Sequence, residues 1–206
     1  MKLLLTGFEP FGESKINPSD KVVRALAREK IAGIELHPAI LPVDRVRDPQ
    51  MLIEAFKASQ PDAVLCLGEA ARRMAISIER VAINLLDFRI ADNAGQKITD
   101  EPIVRDAPAA YFTTLPTRAL CEAVRAVGVP CELSLSAGSY LCNQVTYVLL
   151  HHLAQNRLNI PAGFVHLPAL PEQAVARNEV IPSMSLETLL AAVRAIIETL
   201  KTREQK

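Results

Sequence analysis

Short apolar or β-branched runs alternate along this chain with stretches of helical period, and that alternation restricts the fold more than any other feature. The runs Lys2–Thr6, Glu35–Leu41, Ala63–Leu67, Ala75–Leu85, Cys131–Leu135 and Gly163–His166 are bounded by turn residues and read as strands. Between them, Ser19 or Asp20 is placed to cap a helix through Val22, Val23, Leu26 and Ala27. Leu52, Ala55 and Phe56 repeat at helical spacing, and Thr117 is placed to cap a helix through Leu120 and Val124. The clearest helix starts from Ser185 as N-cap: Leu186, Leu189, Leu190, Val193, Ile196, Ile197 and Leu200 make one apolar stripe. Strand and helix in alternation predict a single-domain α/β/α sandwich over residues 1–206, with a largely parallel (mixed), twisted central sheet.

In such sheets ligands bind beyond the carboxyl ends of the strands. The segments there are Gly7–Gly12, Gly68–Ala70, Ser136–Asn143 and His166–Pro168, and Asp87 to Ala110 reads as a long irregular excursion that can wall a site.

Composition removes several classes of function. The chain has 206 residues, half of them hydrophobic, which is enough for one sizeable core. Lys+Arg and Asp+Glu both total 23, with no run of like charge, so nucleic acid is not an expected partner. No apolar run approaches the roughly 20 residues that span a bilayer, and no signal-peptide pattern follows Leu3–Leu5, so a cytoplasmic protein without a membrane partner is expected. The four cysteines show no CxxC spacing and the four histidines no HExxH, so neither a metal nor another cofactor is expected. Reduced thiols are the default in that compartment, against a Cys121/Cys131 disulfide.

A cysteine and a histidine fall among the segments beyond the strands. Cys142 opens the helical pattern Leu141, Val145, Val148, Leu149 and Leu153. In a helix's first turn the unpaired N–H groups favour a thiolate and can hold an oxyanion. The alternative is a small buried hydrophobe, as for Cys66 within its strand. His166 ends the run Gly163-Phe164-Val165, at a strand terminus, and is the best base of the four; a hydrogen-bonded core histidine is its plainer reading. His37, His151 and His152 read as structural or solvated. Glu79 lies in the run Ala75–Leu85, where period-two alternation puts it on a mostly apolar face. A carboxylate there needs a partner from elsewhere in the fold, and an imidazole would serve, unless Glu79 lies at a solvated edge. Phe8 and Phe11 can clamp a small flat ligand or anchor their loop, and Asn17-Pro18 signals a turn or helix start.

Five motifs occur in order along the whole chain: Gly7-Phe8-Glu9-Pro10-Phe11-Gly12, Asn17-Pro18-Ser19, Ala75 to Asn84, Ser136 to Asn143, and Gly163-Phe164-Val165-His166-Leu167-Pro168. Together they closely resemble those of the pyrrolidone-carboxylate peptidases, the pyroglutamyl peptidase I family of cysteine peptidases. The resemblance implies a Cys-His-Glu triad carried by Cys142, His166 and Glu79, and removal of N-terminal pyroglutamyl residues from peptides. It also implies an α/β/α sandwich and a homo-oligomer, often a tetramer. Two departures stand out: Arg72 where the family commonly has glycine, and Leu135 where a polar residue is familiar.

On that reading His166 accepts the Cys142 proton, or the two rest as an ion pair, and Glu79 orients the ring. Backbone N–H of Cys142, with Arg89, is expected to hold the oxyanion. Pyroglutamate is a neutral lactam, so Phe8 and Phe11 suit its walls, Asn17 its carbonyl, and a backbone carbonyl near Gly68 to Ala70 its N–H. Glu69, Ile90, Tyr140 and Leu141 complete the candidate substrate-binding set. The alternative is a nucleoside phosphorylase-like α/β enzyme, for which Arg72 and Arg73 are the available cations; a non-catalytic binder using the Phe8/Phe11 clamp is a third class.

Overall fold

The computed structural model describes residues 1–177 and 180–204. A six-stranded sheet in the order β2-β1-β3-β8-β4-β7 forms the middle layer. Its strands are β1 (Lys2–Phe8), β2 (Glu35–Leu41), β3 (Ala63–Glu69), β4 (Ile76–Glu79), β7 (Cys131–Ser134) and β8 (Ala162–Leu167). Alternation within each strand feeds two cores. Leu3, Leu5, Leu65, Ile76, Ile78 and Val165 turn to one face, and Leu4, Phe8, Val64, Cys66 and Phe164 to the other.

The first face is covered by α1 (Pro18–Leu26), α3 (Thr117–Ala126) and α6 (Leu186–Glu204), the second by α2 (Arg47–Ser59) and α4 (Leu141–Gln155). The α6 stripe buries Leu189, Val193, Ile196, Ile197 and Leu200, and Ser185 caps it, accepting from Thr188 N–H at 3.1 Å. The cap of α1 is Asn17, in place of the expected Ser19 or Asp20: its Oδ1 accepts from Ser19 N–H at 3.0 Å, and Pro18 fills the first helical position, where no N–H is needed. Thr117 is the first residue of α3 and not its cap, a position held by Pro116 without a side-chain bond.

Two features of the sheet position the site: one expected strand divides, and the expected mixed character falls on β4 and β7. Ala75–Leu85 is not one strand. It breaks at Arg80, whose N–H donates to Ser134 O and whose carbonyl accepts from Thr113 N–H, and β5 (Val81–Ile83) leaves to pair with β6 (Ala110–Phe112). Alternation of side chains persists through such a bend, so periodicity does not reveal it. The face that carries Glu79 also lacks the expected apolar run, because only Ser77 shares it within β4 and Val81 and Ile83 belong to the second sheet. Second, β1, β2, β3 and β8 are parallel, but β4 runs antiparallel to β8 and parallel to β7. The carboxyl-end rule therefore locates the loops after β1, β3 and β8, whereas Glu79 and the segment leading to Cys142 follow strands of the opposite direction.

Candidate active site

A cavity of about 490 Å³ opens where the loops after β1 and β3, the end of β8 and the start of α4 converge. Cys142 and His166 both line it, and so do Phe8, Phe11, Asn17, Glu69, Arg89, Ile90, Tyr140 and Leu141. Glu79 stands behind it, fully buried.

His166 and Gly68 are register partners on adjacent strands. A Cβ on Gly68 would lie 3.0 Å from Cys142 Sγ and 2.5 Å from Phe164 Cζ, so the absence of a side chain there lets the sulfur approach β3 beside the strand that carries the imidazole. His166 Nδ1 lies 2.7 Å from Glu79 Oε1. The carboxylate accepts, so Nδ1 carries the proton and Nε2 keeps its lone pair for the cavity. The Phe164 ring packs on the imidazole with centroids 4.8 Å apart.

Cys142 is the second residue of α4. No side chain caps that helix at Tyr140, which leaves its first-turn N–H groups to other acceptors. Asn143 staples the turn in place: its Nδ2 donates to Ile83 O and Leu85 O at 2.8 and 3.0 Å, and its Oδ1 accepts from Ile83 N–H at 2.9 Å. Burial pushes the Cys142 thiol up, and the Glu79 charge adds to this. Burial likewise pushes His166 down, against the hydrogen bond and charge of Glu79. Cys66 is also pushed up, to about 12, by burial within β3. All four thiols are free.

The cavity walls are aromatic and aliphatic. Phe8 is buried against Phe164, with centroids 6.5 Å apart, and Phe11 faces Tyr140 at 6.5 Å. Tyr140 packs edge-on against Phe88 at 4.6 Å and donates to Ala91 O at 3.1 Å. Asn17 is committed by its cap and by an Nδ2 bond to Glu9 O at 3.0 Å, which leaves one amide hydrogen. Glu69 Oε2 accepts from Gln173 Nε2 at 2.9 Å, tying β3 to α5 (Pro171–Ala176), and burial pushes its carboxyl up. Arg89 is exposed at the rim. Outside the site, His37 meets Glu35, and His151 meets Tyr111 OH at 2.9 Å.

Sequence reasoning passed over Arg73 and Asn143 as parts of this assembly. Arg73 Nη1 donates to Glu79 Oε1 at 2.6 Å and Nη2 to Ser136 O at 2.8 Å. The signal for it was the need of a buried carboxylate for a cation. A phosphate-binding role for Arg73 is displaced by these bonds.

Residues 1–203 match the family described as pyroglutamyl peptidase. The chain belongs to that family. A pyrrolidone-carboxylate peptidase of Vibrio vulnificus is 47% identical over 99% of this chain and 94% of its own length. One from Pyrococcus furiosus is 44% identical over 96% of this chain and 97% of its own. The fold superimposes on pyroglutamyl peptidase I of Bacillus amyloliquefaciens with a TM-score of 0.93, at 36% identity, covering 98% of this chain and 97% of that one. A mutant pyrrolidone carboxyl peptidase from Pyrococcus furiosus gives 0.94 at 43% identity, covering 98% and 99%. Nothing supports the nucleoside phosphorylase alternative.

Proposed function

We propose that this pyroglutamyl peptidase hydrolyses the bond after an N-terminal pyroglutamyl residue with Cys142 as nucleophile, His166 as base and acid, and Glu79 as the group that orients the ring. The observation that carries the assignment is the 2.7 Å bond from His166 Nδ1 to buried Glu79, behind a cavity that Cys142 shares. His166 Nε2 takes the thiol proton as Sγ attacks the pyroglutamyl carbonyl carbon. The oxyanion lies against the uncapped first turn of α4, with Arg89 at the rim. The C–N bond then breaks, the leaving amine takes the proton from His166, and a thioester remains. Water, activated by His166, hydrolyses it to free pyroglutamate and regenerates the thiol.

Phe8, Phe11, Ile90, Tyr140 and Leu141 wall the lactam ring in this reading. Asn17 offers its remaining amide hydrogen to the lactam carbonyl, and a backbone carbonyl near Glu69 takes the lactam N–H. A prolyl substrate lacks the lactam carbonyl, so the Asn17 donor loses its partner at a cost of about 1–3 kcal/mol. Residues 1–206 act as one catalytic domain in the cytoplasm. The assembly is a homo-oligomer, tetrameric by family resemblance, and exposed Phe112 and Leu135 supply apolar surface for it.

The test compares a pyroglutamyl amide with its prolyl counterpart, with and without iodoacetamide, and maps the label. Turnover of the pyroglutamyl amide alone, lost when Cys142 is alkylated, is the expected result. Inactivation with the label confined to Cys121 or Cys131 would sink the assignment.

A further inference from the structure

Glu79 Oε1 receives two donors. One is His166 Nδ1 at 2.7 Å; the other is Arg73 Nη1 at 2.6 Å. The second arm of the same guanidinium, Nη2, donates to Ser136 O at 2.8 Å, on the segment that leads into Cys142. A single planar fork thus joins the carboxylate behind the base to the loop ahead of the nucleophile. Glu79 is fully buried, and its Oε2 meets no partner among the described residues. A lone carboxylate in that position requires a cation, and a neutral imidazole does not provide one.

We propose that Arg73 is a positioning residue of this peptidase: it is the standing counter-ion of Glu79 whichever charge His166 carries through the reaction, and it locks the loop before Cys142 to the same carboxylate. The inference rests on the triad assignment above. Arg73 acts through Glu79 and Ser136, and its side chain is about a quarter exposed, so substitution leaves no large internal void.

The consequence is a pH signature. Besides Arg73, Glu79 and His166, the charged or titratable groups that bear on Cys142 are Glu69 at the end of β3 and Asp48 in α2; Tyr140, at the head of α4, is itself coupled to Cys142 and Asp48. Arg177 sits 3.4 Å from Glu69, and Arg72 and Arg89 line the same cavity, but Arg73 is the cation that bears on both members of the pair, so its removal makes His166 and Cys142 each hold a proton more tightly. The acid limb of kcat/KM therefore moves up in pH whether the proton leaves from His166 or from Cys142, because the limb belongs to the coupled pair.

The experiment measures kcat/KM against pH for a pyroglutamyl amide in the wild type, Arg73→Met and Arg73→Lys, with Cys142→Ala and Glu79→Gln as references. Arg73→Met is expected to lower kcat/KM at neutral pH by roughly 10- to 100-fold, as for other groups that orient a reacting residue through its partner. Its acid limb should rise by about one pH unit. Arg73→Lys keeps the charge without the fork, so its limb stays in place while activity recovers in part. In the Glu79→Gln background Arg73→Met should cost far less than it does alone. Equal losses in the Met and Lys variants with an unmoved limb would make Arg73 a scaffold residue and overturn the inference, and so would full additivity with Glu79→Gln. If Arg73→Met does not fold, Arg73→Lys decides: a displaced limb there refutes the counter-ion role, and an unmoved limb with partial activity upholds it. Full activity in Cys142→Ala would overturn the triad assignment itself, and this inference with it.

Discussion

The two faces of the central sheet are built from the same strands and do different things. Toward α1, α3 and α6 the strands present mostly aliphatic side chains, and the space is filled by Leu26, Val124 and Ile196, all fully buried, with their neighbours. Toward α2 and α4, alternate positions on the same strands present Gly68, Glu79 and His166, and the helices add Cys142, Asn143, Gln144 and Asp48. Asp48 is wholly buried and neither of its carboxyl oxygens meets a partner among the described residues. One face repays its ordering through dispersion and burial, and the other gives up part of that gain to hold polar groups in an apolar-walled cleft. Period-two geometry keeps the two tasks independent, since each strand residue belongs to one face only.

That division can be broken by experiment. Cys142→Ala should lower kcat by roughly 10⁴-fold or more and leave the melting temperature close to that of the wild type. A large loss of stability there would mean that the sulfur also fills core space. On the opposite face, Ile196→Ala should cost about 2–5 kcal/mol in chemical unfolding, with kcat per folded molecule unchanged. A change in kcat for the folded fraction would show that the faces communicate. Phe11→Ala should raise KM by roughly 10- to 100-fold, from lost ring burial, while the rate of Cys142 alkylation stays the same. Unchanged affinity for a pyroglutamyl inhibitor in both Phe8→Ala and Phe11→Ala would return these rings to a purely structural role.

The smallest effect concerns Asp48. Burial, reinforced by Asp44 and Asp92, pushes its carboxyl well above the usual range, so the folded state holds this proton to higher pH than the unfolded chain does. Stability then falls as pH rises from the unfolded value of about 3.9. Asp48→Asn removes that slope, and it should stabilise the protein by about 1 kcal/mol at neutral pH, with the gain shrinking as the pH falls toward the unfolded value. Thermal unfolding at a series of pH values measures it, and a gain independent of pH would assign the effect to packing.

The features legible in the sequence were those encoded locally. Glu35–Leu41 has the strand bounds expected of it, Ser185 caps α6, and Cys142 falls in the first turn of α4. The motifs Gly7–Gly12, Ser136–Asn143 and Gly163–Pro168 carry residues that the fold brings to one cavity. A largely parallel, mixed sheet was legible, but not which strands reverse, because an apolar run reads the same whether its neighbours are parallel or antiparallel; the assignment to β4 and β7 emerged only with the fold. Arg73 escaped for a related reason. Its partner is six positions along the chain, but it is a turn and a strand away in space, and helical or strand spacing connects neither. Asn143 ends one of the motifs but carries no local signal of its role, because its three bonds all go to backbone near β5.

At Gly68 packing and chemistry meet on the same face of the sheet. A methyl group there would press on the Phe164 ring, which belongs to the core, and on the Cys142 sulfur, which belongs to the chemistry. Any mutational route that enlarges this residue must repack the interior and re-aim the nucleophile in the same step. Adaptation to a new acyl group is therefore closed at the back of the cleft and left to its rim, to lining residues such as Phe11 and Ile90.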